Sequence, residues 1–208
     1  FDPNILTKGS PKKDIDNYLA SPSKPLFDRA VSGLYSSGSI IKPLYAIAAL
    51  EEGVINPEKE ILSTISQCGE NRRLAIITDN KVRGLYGNRL LSILKKIDDK
   101  VELINFSGGE KNKTQATVTD IQNALLKKHY GRDSLIIALG GGVVGDIAGY
   151  VAATYLRGVP YVQMPTTLLA MVDSSVGGKV GIDTPYGKNT VGAFYQPRAV
   201  IADLNFLA

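Results

Sequence analysis

One stretch constrains the fold more than any other: SLIIALGGGVVGDIAGYVAATYL, residues 134–156. Its apolar length invites a membrane reading. Gly140, Gly141 and Gly142 interrupt it, however, and Asp146 sits near its middle. A strand over 134–140, a glycine turn and a buried helix over 143–156 satisfy the pattern better, because each piece then buries its apolar face. The same alternation surrounds it. RLAIIT (73–78), KVELINF (100–106), PYVQMP (160–165) and AVIAD (199–203) read as strands. Val82, Leu85, Tyr86, Leu90, Leu94 and Ile97 make a helical stripe over 82–97, and Val118, Ile121, Leu125 and Leu126 another over 114–130. Strands separated by helices of this length join by right-handed crossovers. The expectation is an α/β fold with a mostly parallel sheet.

The glycine turn also carries chemistry. A turn without side chains lets a phosphate reach the backbone, where the first N–H groups of a helix and its dipole hold an anion. The spacing GGGxxGD differs from the dinucleotide fingerprint G-x-G-x-x-G, and a tight strand–helix turn that needs small residues is the competing reading. Downstream, Thr166 and Thr167 follow a strand end, placed either to meet a ligand or to cap the next helix. MVDSSVGGKVGID (171–183) brings Asp173 and Lys179 together around a Gly-Gly bend. YGKNTVGAFYQP (186–197) sets Lys188 beside Asn189. Both segments read as glycine-rich loops whose lysines suit anions. SGGEKNK (107–113) places Glu110 and Lys113 three apart after the second strand, also compatible with a capping turn.

Composition narrows the chemistry. His129 and Cys68 are the single histidine and the single cysteine of the 208 residues, which removes any zinc site of the Cys/His type and any intrachain disulfide. His129 falls at a predicted helix end, beside Tyr130-Gly131, and reads as a helix terminus rather than a ligand. The net charge of +4 and isoelectric point near 9.0 suit phosphorylated ligands. The lysine pairs are scattered and no basic stripe alternates with aromatics, so no nucleic-acid partner is expected. The opening FDPN shows no signal-peptide pattern, and no membrane segment is expected.

The chain changes character near 61–72. Before it the sequence is irregular or helical, punctuated by Pro and Ser, with one helix expected over 39–52. We expect a first segment of 1–64, not a complete domain, and a nucleotide-binding domain of 65–208.

From about residue 71 onward, LGGGVVGDIAGYVAATYLRGVPYVQMPTTLLAMVDSSVGGKVGID and YGKNTVGAFYQP closely resemble the 3-dehydroquinate synthase family. The resemblance implies a Rossmann-like sheet of that type. It also implies conversion of 3-deoxy-arabino-heptulosonate 7-phosphate to 3-dehydroquinate and phosphate, a lyase reaction of the shikimate pathway carried out in the cytoplasm. NAD is the implied cofactor, with a divalent zinc or cobalt ion in the complete enzymes. It assigns NAD contacts to Asp79, Glu110, Lys113, Gly142, Val143, Val144, Gly145, Asp146, Thr166, Thr167, Lys179 and Lys188. Substrate contacts fall to Arg157, Asp173, Lys179, Lys188 and Asn189, with Arg157 reaching an anionic sugar phosphate from the second subunit of a homodimer. GGEKNK departs from the family's usual DGExYK, so the Glu110–Lys113 contact is only partly matched. The family's metal ligands, one Glu and two His, belong to a helical C-terminal domain, and none is expected in this chain.

The first segment, FDPN through PLFDRAVSGLYSSGSIIKPLYAIAALEEG, resembles the start of a class B penicillin-binding transpeptidase. Ser39 and Lys42 form S-x-x-K, a spacing that puts both side chains on one helical face and lets the amine activate the hydroxyl. The S-x-N and K-T-G elements of that family are absent. The two resemblances together imply a chain joining pieces of two enzymes. An acyl-enzyme at Ser39 and a fusion product without activity stand as alternatives to the NAD-dependent reading.

Overall fold

A computed structural model describes residues 56–69 and 72–207. Ser39, Lys42 and the helix expected over 39–52 lie outside the described residues. The unit that contains the sheet begins at Asn56. The boundary expected at 64/65 therefore falls inside its first helix, α1 (Pro57–Cys68), whose start is capped by the Asn56 side chain accepting from the amides of Glu58 and Lys59. Ile61 and Ile65 of α1 are buried against the sheet, packed with Leu74, Leu94 and Phe206.

The elements then alternate as the apolar periods predict. β1 (Arg73–Asp79) leads into α2, a helix made of Asn80–Val82, a π-turn over Arg83–Gly87 and Asn88–Leu94. β2 (Glu102–Phe106) is followed by a 3₁₀ turn (Glu110–Asn112) and α3 (Gln115–Lys127). β3 (Ser134–Gly140) enters α4 (Gly142–Thr154), and a 3₁₀ turn (Tyr155–Arg157) leads to β4 (Tyr161–Pro165). α3 is closed by His129, which adopts φ 57° while its amide bonds to Leu126 and that of Tyr130 to Leu125. This is the paired hydrogen bonding of a left-handed helix C-terminus, so His129 occupies a helix end, exposed.

Two expectations are corrected. The segments around Lys179 and Lys188 are not loops: they form an antiparallel hairpin, β5 (Lys179–Thr184) and β6 (Gly187–Phe194). The expected strand 199–203 shrinks to β7, Ala199–Val200, because Ile201 to Asp203 bend away into a 3₁₀ turn over Leu204–Phe206 that Asp203 caps.

The main sheet has the order β2-β1-β3-β4-β7, and every pairing is parallel. β3 is central and buried at every position, the reason it reads as an unbroken apolar run. Residues of alternate parity face two cores. Ala75, Ile77, Ile136 and Ala138 meet α3 and α4 on one side, while Leu74, Ile76, Leu135 and Ile137 meet α1 and α2 on the other. After β1 the chain moves outward to β2, then returns across β1 to β3. The order reverses there, and a crevice opens at the carboxyl ends of β1 and β3.

Candidate nucleotide and anion site

The end of β1 supplies Asp79 and the end of β3 supplies Gly140 to the mouth of this crevice. Asp79 holds the start of α2, its Oδ1 accepting from the Val82 amide at 2.9 Å. Gly140 leaves no room for a Cβ, and Gly142 leaves little. A Cβ on Gly140 would lie 2.4 Å from Val144 Cγ2, and one on Gly142 would lie 3.2 Å from Ser174 Oγ. α1 and α3 are both capped by a side chain, but α4 is not. Its first amides are left for a ligand. Asp79, Lys81, Gly109, Gly142, Val144 and Thr166 line a cavity of about 210 Å³ over that helix start.

The two threonines after β4 divide the readings between them. Thr167 caps the following helical segment, its Oγ1 accepting from the Ala170 amide at 3.2 Å. Thr166 is fully buried on the cavity wall, and its Oγ1 has no partner. A buried hydroxyl left unbonded is costly, and a ligand in the crevice would relieve it.

Beside the crevice a larger cavity of about 590 Å³ is lined by Asp146, Asp173, Ser174, Lys179, Asn189 and Phe194, among others. Asp173 lies in a π-turn (Ala170–Ser174), Lys179 at the start of β5 and Asn189 in β6. Four of the predicted residues, from α4, the π-turn and the hairpin, thus line one cavity. At its back stands Lys113. Its side chain is only 4% exposed, and its ammonium donates to Asp146 and to the Asn189 side chain. The Lys113 carbonyl accepts from the Asp183 amide at 2.8 Å, and Asp183 Oδ1 accepts from the Asn189 amide at 2.7 Å. Burial pushes the Asp146 carboxyl above the usual aspartate range, against the pull of Lys113, with Glu110 and Asp183 pushing the same way as burial. Lys188 Nζ lies 3.5 Å from Glu110 Oε1 at the rim, an exposed pair.

Arg157 stands apart. It follows α4, and that helix carries the chain away from the crevice by about 1.5 Å per residue, to the amino ends of the strands. Leu156, Arg157 and Gly158 have φ of 47°, 68° and 111°. Side chains rarely adopt such angles.

The residue pattern marked Gly140 as part of the turn but gave no role to Asp183 or Gln163. Gln163 had a signal: a polar residue inside the apolar strand YVQMP.

Residues 103–208, just over half the chain, match the model of the 3-dehydroquinate synthase N-terminal family. The chain belongs to the 3-dehydroquinate synthase family. It is 47% identical over 154 residues to the 3-dehydroquinate synthase of Prochlorococcus marinus subsp. pastoris, covering 74% of this chain and 42% of that protein. It is 54% identical over 134 residues to the enzyme of Acidithiobacillus ferrooxidans, covering 64% and 37%. The chain thus spans about two fifths of the length of these relatives. A crystal structure of 2-deoxy-scyllo-inosose synthase, complexed with carbaglucose-6-phosphate, NAD+ and Co2+, superposes with a TM-score of 0.62 at 35% identity, over 65% of this chain and 37% of that one. Residues 4–96 match the penicillin binding protein transpeptidase domain. The described part of that span forms α1, β1 and α2, which belong to the same sheet unit as the synthase match.

Proposed function

We propose that this chain carries the NAD-binding part of a 3-dehydroquinate synthase. The observation that carries the reading is the uncapped start of α4, facing a crevice at the strand-order reversal where Gly140 leaves no room for a Cβ and one at Gly142 would be tight. The amides of Gly142, Val143 and Val144 would hold the pyrophosphate, with Gly145 keeping the next turn small. Asp79 would accept from the adenosine ribose hydroxyls, as an acidic residue does in related crevices. Thr166 and Thr167 would face the nicotinamide. When bound, NAD supplies a reversible hydride acceptor.

The larger cavity suits an anionic sugar phosphate. Lys179 and Lys188 would neutralise it, Asn189 and Asp173 would orient its hydroxyls, and Glu110 would hold Lys188 in place. Asp146, tied to Lys113, lies between the two cavities and would fix the cofactor against the substrate. The second structural feature in support of this reading is Arg157. It sits too far along α4 to serve its own crevice, and its left-handed backbone is the kind of strain that clusters at functional sites. A homodimer in which Arg157 binds the phosphate of the other subunit accounts for both facts, since guanidinium matches phosphate in a forked geometry. A pathway using NAD and a free sugar phosphate belongs in the cytoplasm. Among the described residues no helix is long and apolar enough to cross a membrane.

The full reaction includes elimination of phosphate, which a divalent ion assists in the complete enzymes. The described residues do not supply its donors: no group of three or more His, Cys, Asp or Glu side chains comes together among them. We derive no step through a metal. The test is therefore binding, not turnover. Calorimetric titration of the chain with NAD is expected to give saturable binding, lost on Gly142→Val; a folded sample that binds no NAD defeats the proposal. The reading of Ser39 as an acyl-enzyme nucleophile rests on the match of residues 4–96 and the Ser39–Lys42 spacing. A fluorescent β-lactam adduct lost in Ser39→Ala would establish it, and the absence of an adduct would dismiss it.

A further inference from the structure

β4 presents Gln163 to the core between Val162 and Met164, and only 5% of it is exposed. Its Oε1 is buried without a partner. Its Nε2 lies where the first turn of α4 passes, 3.1 Å from the position a Cβ on Gly145 would take. Next to it is a void of about 10 Å³, lined by Gln163, Gly140, Gly141, Gly145, Ser174 and Ser175, among others. A space of that size holds a single water, and a buried water needs two to four polar partners. Gln163 Oε1 is one candidate, and Ser174 and Ser175 line the same void, the Ser175 hydroxyl also donating to the Met171 carbonyl at 3.4 Å. An apolar residue at 163 would remove an unsatisfied buried acceptor, so the glutamine has a cost that something must offset.

We propose that Gln163 holds one buried water beneath the glycine turn and through it sets the spacing between the start of α4 and the segment carrying Asp173 and Ser174. The water accepts from a serine hydroxyl and donates to Gln163 Oε1, closing the one buried acceptor of β4 that no protein group reaches. Gln163 is then a positioning residue. It touches no ligand, but it carries the two walls of the crevice on one hydrogen-bonded link. The effect on nucleotide binding rests on the NAD reading above; the water itself does not.

Two measurements separate these. A crystal structure of the chain is expected to show a water within hydrogen-bond distance of Gln163 Oε1, and that water is expected to be missing in Gln163→Met, which keeps the volume and drops the acceptor. Gln163→Glu retains an oxygen at the same place and is expected to retain the water. A dry void in the unaltered chain, or a Gln163 amide bonded directly to protein, overturns the proposal. Should Gln163→Met fail to fold, long-lived water contacts to the Gln163 side-chain amide, measured by nuclear magnetic resonance on the unaltered chain, decide the same point. For the second arm, the NAD dissociation constant is expected to rise roughly three- to tenfold in Gln163→Met, the worth of one hydrogen bond, and to recover in Gln163→Glu. An unchanged constant refutes the positioning role. If the unaltered chain binds no NAD, the functional reading fails while the water is still judged by the first measurement.

Discussion

Replacing Lys113 by methionine tests the core of the site. The Lys113 side chain is 4% exposed and that of Asp146 22%. Breaking a fully buried ion pair by removing one partner costs roughly 3–5 kcal/mol, because the remaining charge is stranded. Asp146 retains some access to water, so about 2–3 kcal/mol is the expected loss at neutral pH. The size of the loss should depend on pH, in a direction that follows from Asp146. Its folded value lies above the ordinary 3.8 because burial outweighs the attraction of Lys113. A raised carboxyl contributes stability that is present below 3.8 and is lost as pH climbs through the folded value. Lys113→Met removes the two influences that lower Asp146, so its folded value rises further and the loss extends to higher pH. The variant should approach the unaltered chain below the ordinary aspartate value and fall away from it toward neutrality. Urea denaturation at a series of pH values reads this directly. The neutral-pH deficit corresponds to a fall in midpoint temperature of roughly 5–10 °C for a unit of this size. Lys113→Met with Asp146→Leu should recover most of the loss, since no unpaired charge remains. A deficit that is the same at every pH, or one that the double substitution does not reduce, would refute the reasoning.

Other consequences follow from single features. Gly140→Ala drives a Cβ to 2.4 Å from Val144 Cγ2 and 2.5 Å from Val144 Cβ; melting should show a loss of roughly 1–3 kcal/mol, and calorimetry should show no NAD binding. The Tyr130 hydroxyl donates to the Leu74 carbonyl, and burial pushes it up to about 12. Its contribution to stability is complete below the ordinary value of 10.0 and is lost as pH rises from there to about 12, so alkaline denaturation should be shallower in Tyr130→Phe. Arg157→Gly relieves the left-handed angle of 68°; it should stabilise the chain by up to about 1 kcal/mol, read as a higher melting point, while weakening phosphate binding if the proposed homodimer holds. A lower melting point would show that the angle is not a strain.

How much was visible beforehand differs by element. β1 and β3 could be read from residues alone, since RLAIIT and SLIIALG are apolar runs bounded by polar turns, and strands buried on both faces leave no alternation to misplace. α3 was nearly as plain: Val118, Ile121 and Leu125 of its expected stripe are buried, whereas Leu126 is exposed, and the helix ends at His129. The β5–β6 hairpin was hidden. β6 is exposed or half-exposed along its length, so no apolar pattern marks it. Its strand character comes from pairing with β5, so close that a Cβ on Gly192 would lie 2.2 Å from the Val180 carbonyl oxygen. What looks like loop glycine is there to let two backbones touch. Among the site residues, the glycine turn and the lysines stood out by type and position. The fully buried state of Thr166 and the orphan oxygen of Gln163 did not.

Residue order by itself determined the class of fold and the place of the turn. Apolar period and glycine placement act within a few residues, and they dictate strand, turn and helix locally. Only the tertiary structure decided which groups share a charge. Asp146 and Asn189 lie 33 and 76 positions beyond Lys113 along the chain. They meet because the β5–β6 hairpin, which follows β4, packs Val180 and Ile182 against α4. Burial then shifts the protonation of Asp146, since a carboxylate's preference depends on how much water and how much positive charge surround it. Neither quantity is a property of the sequence near Asp146.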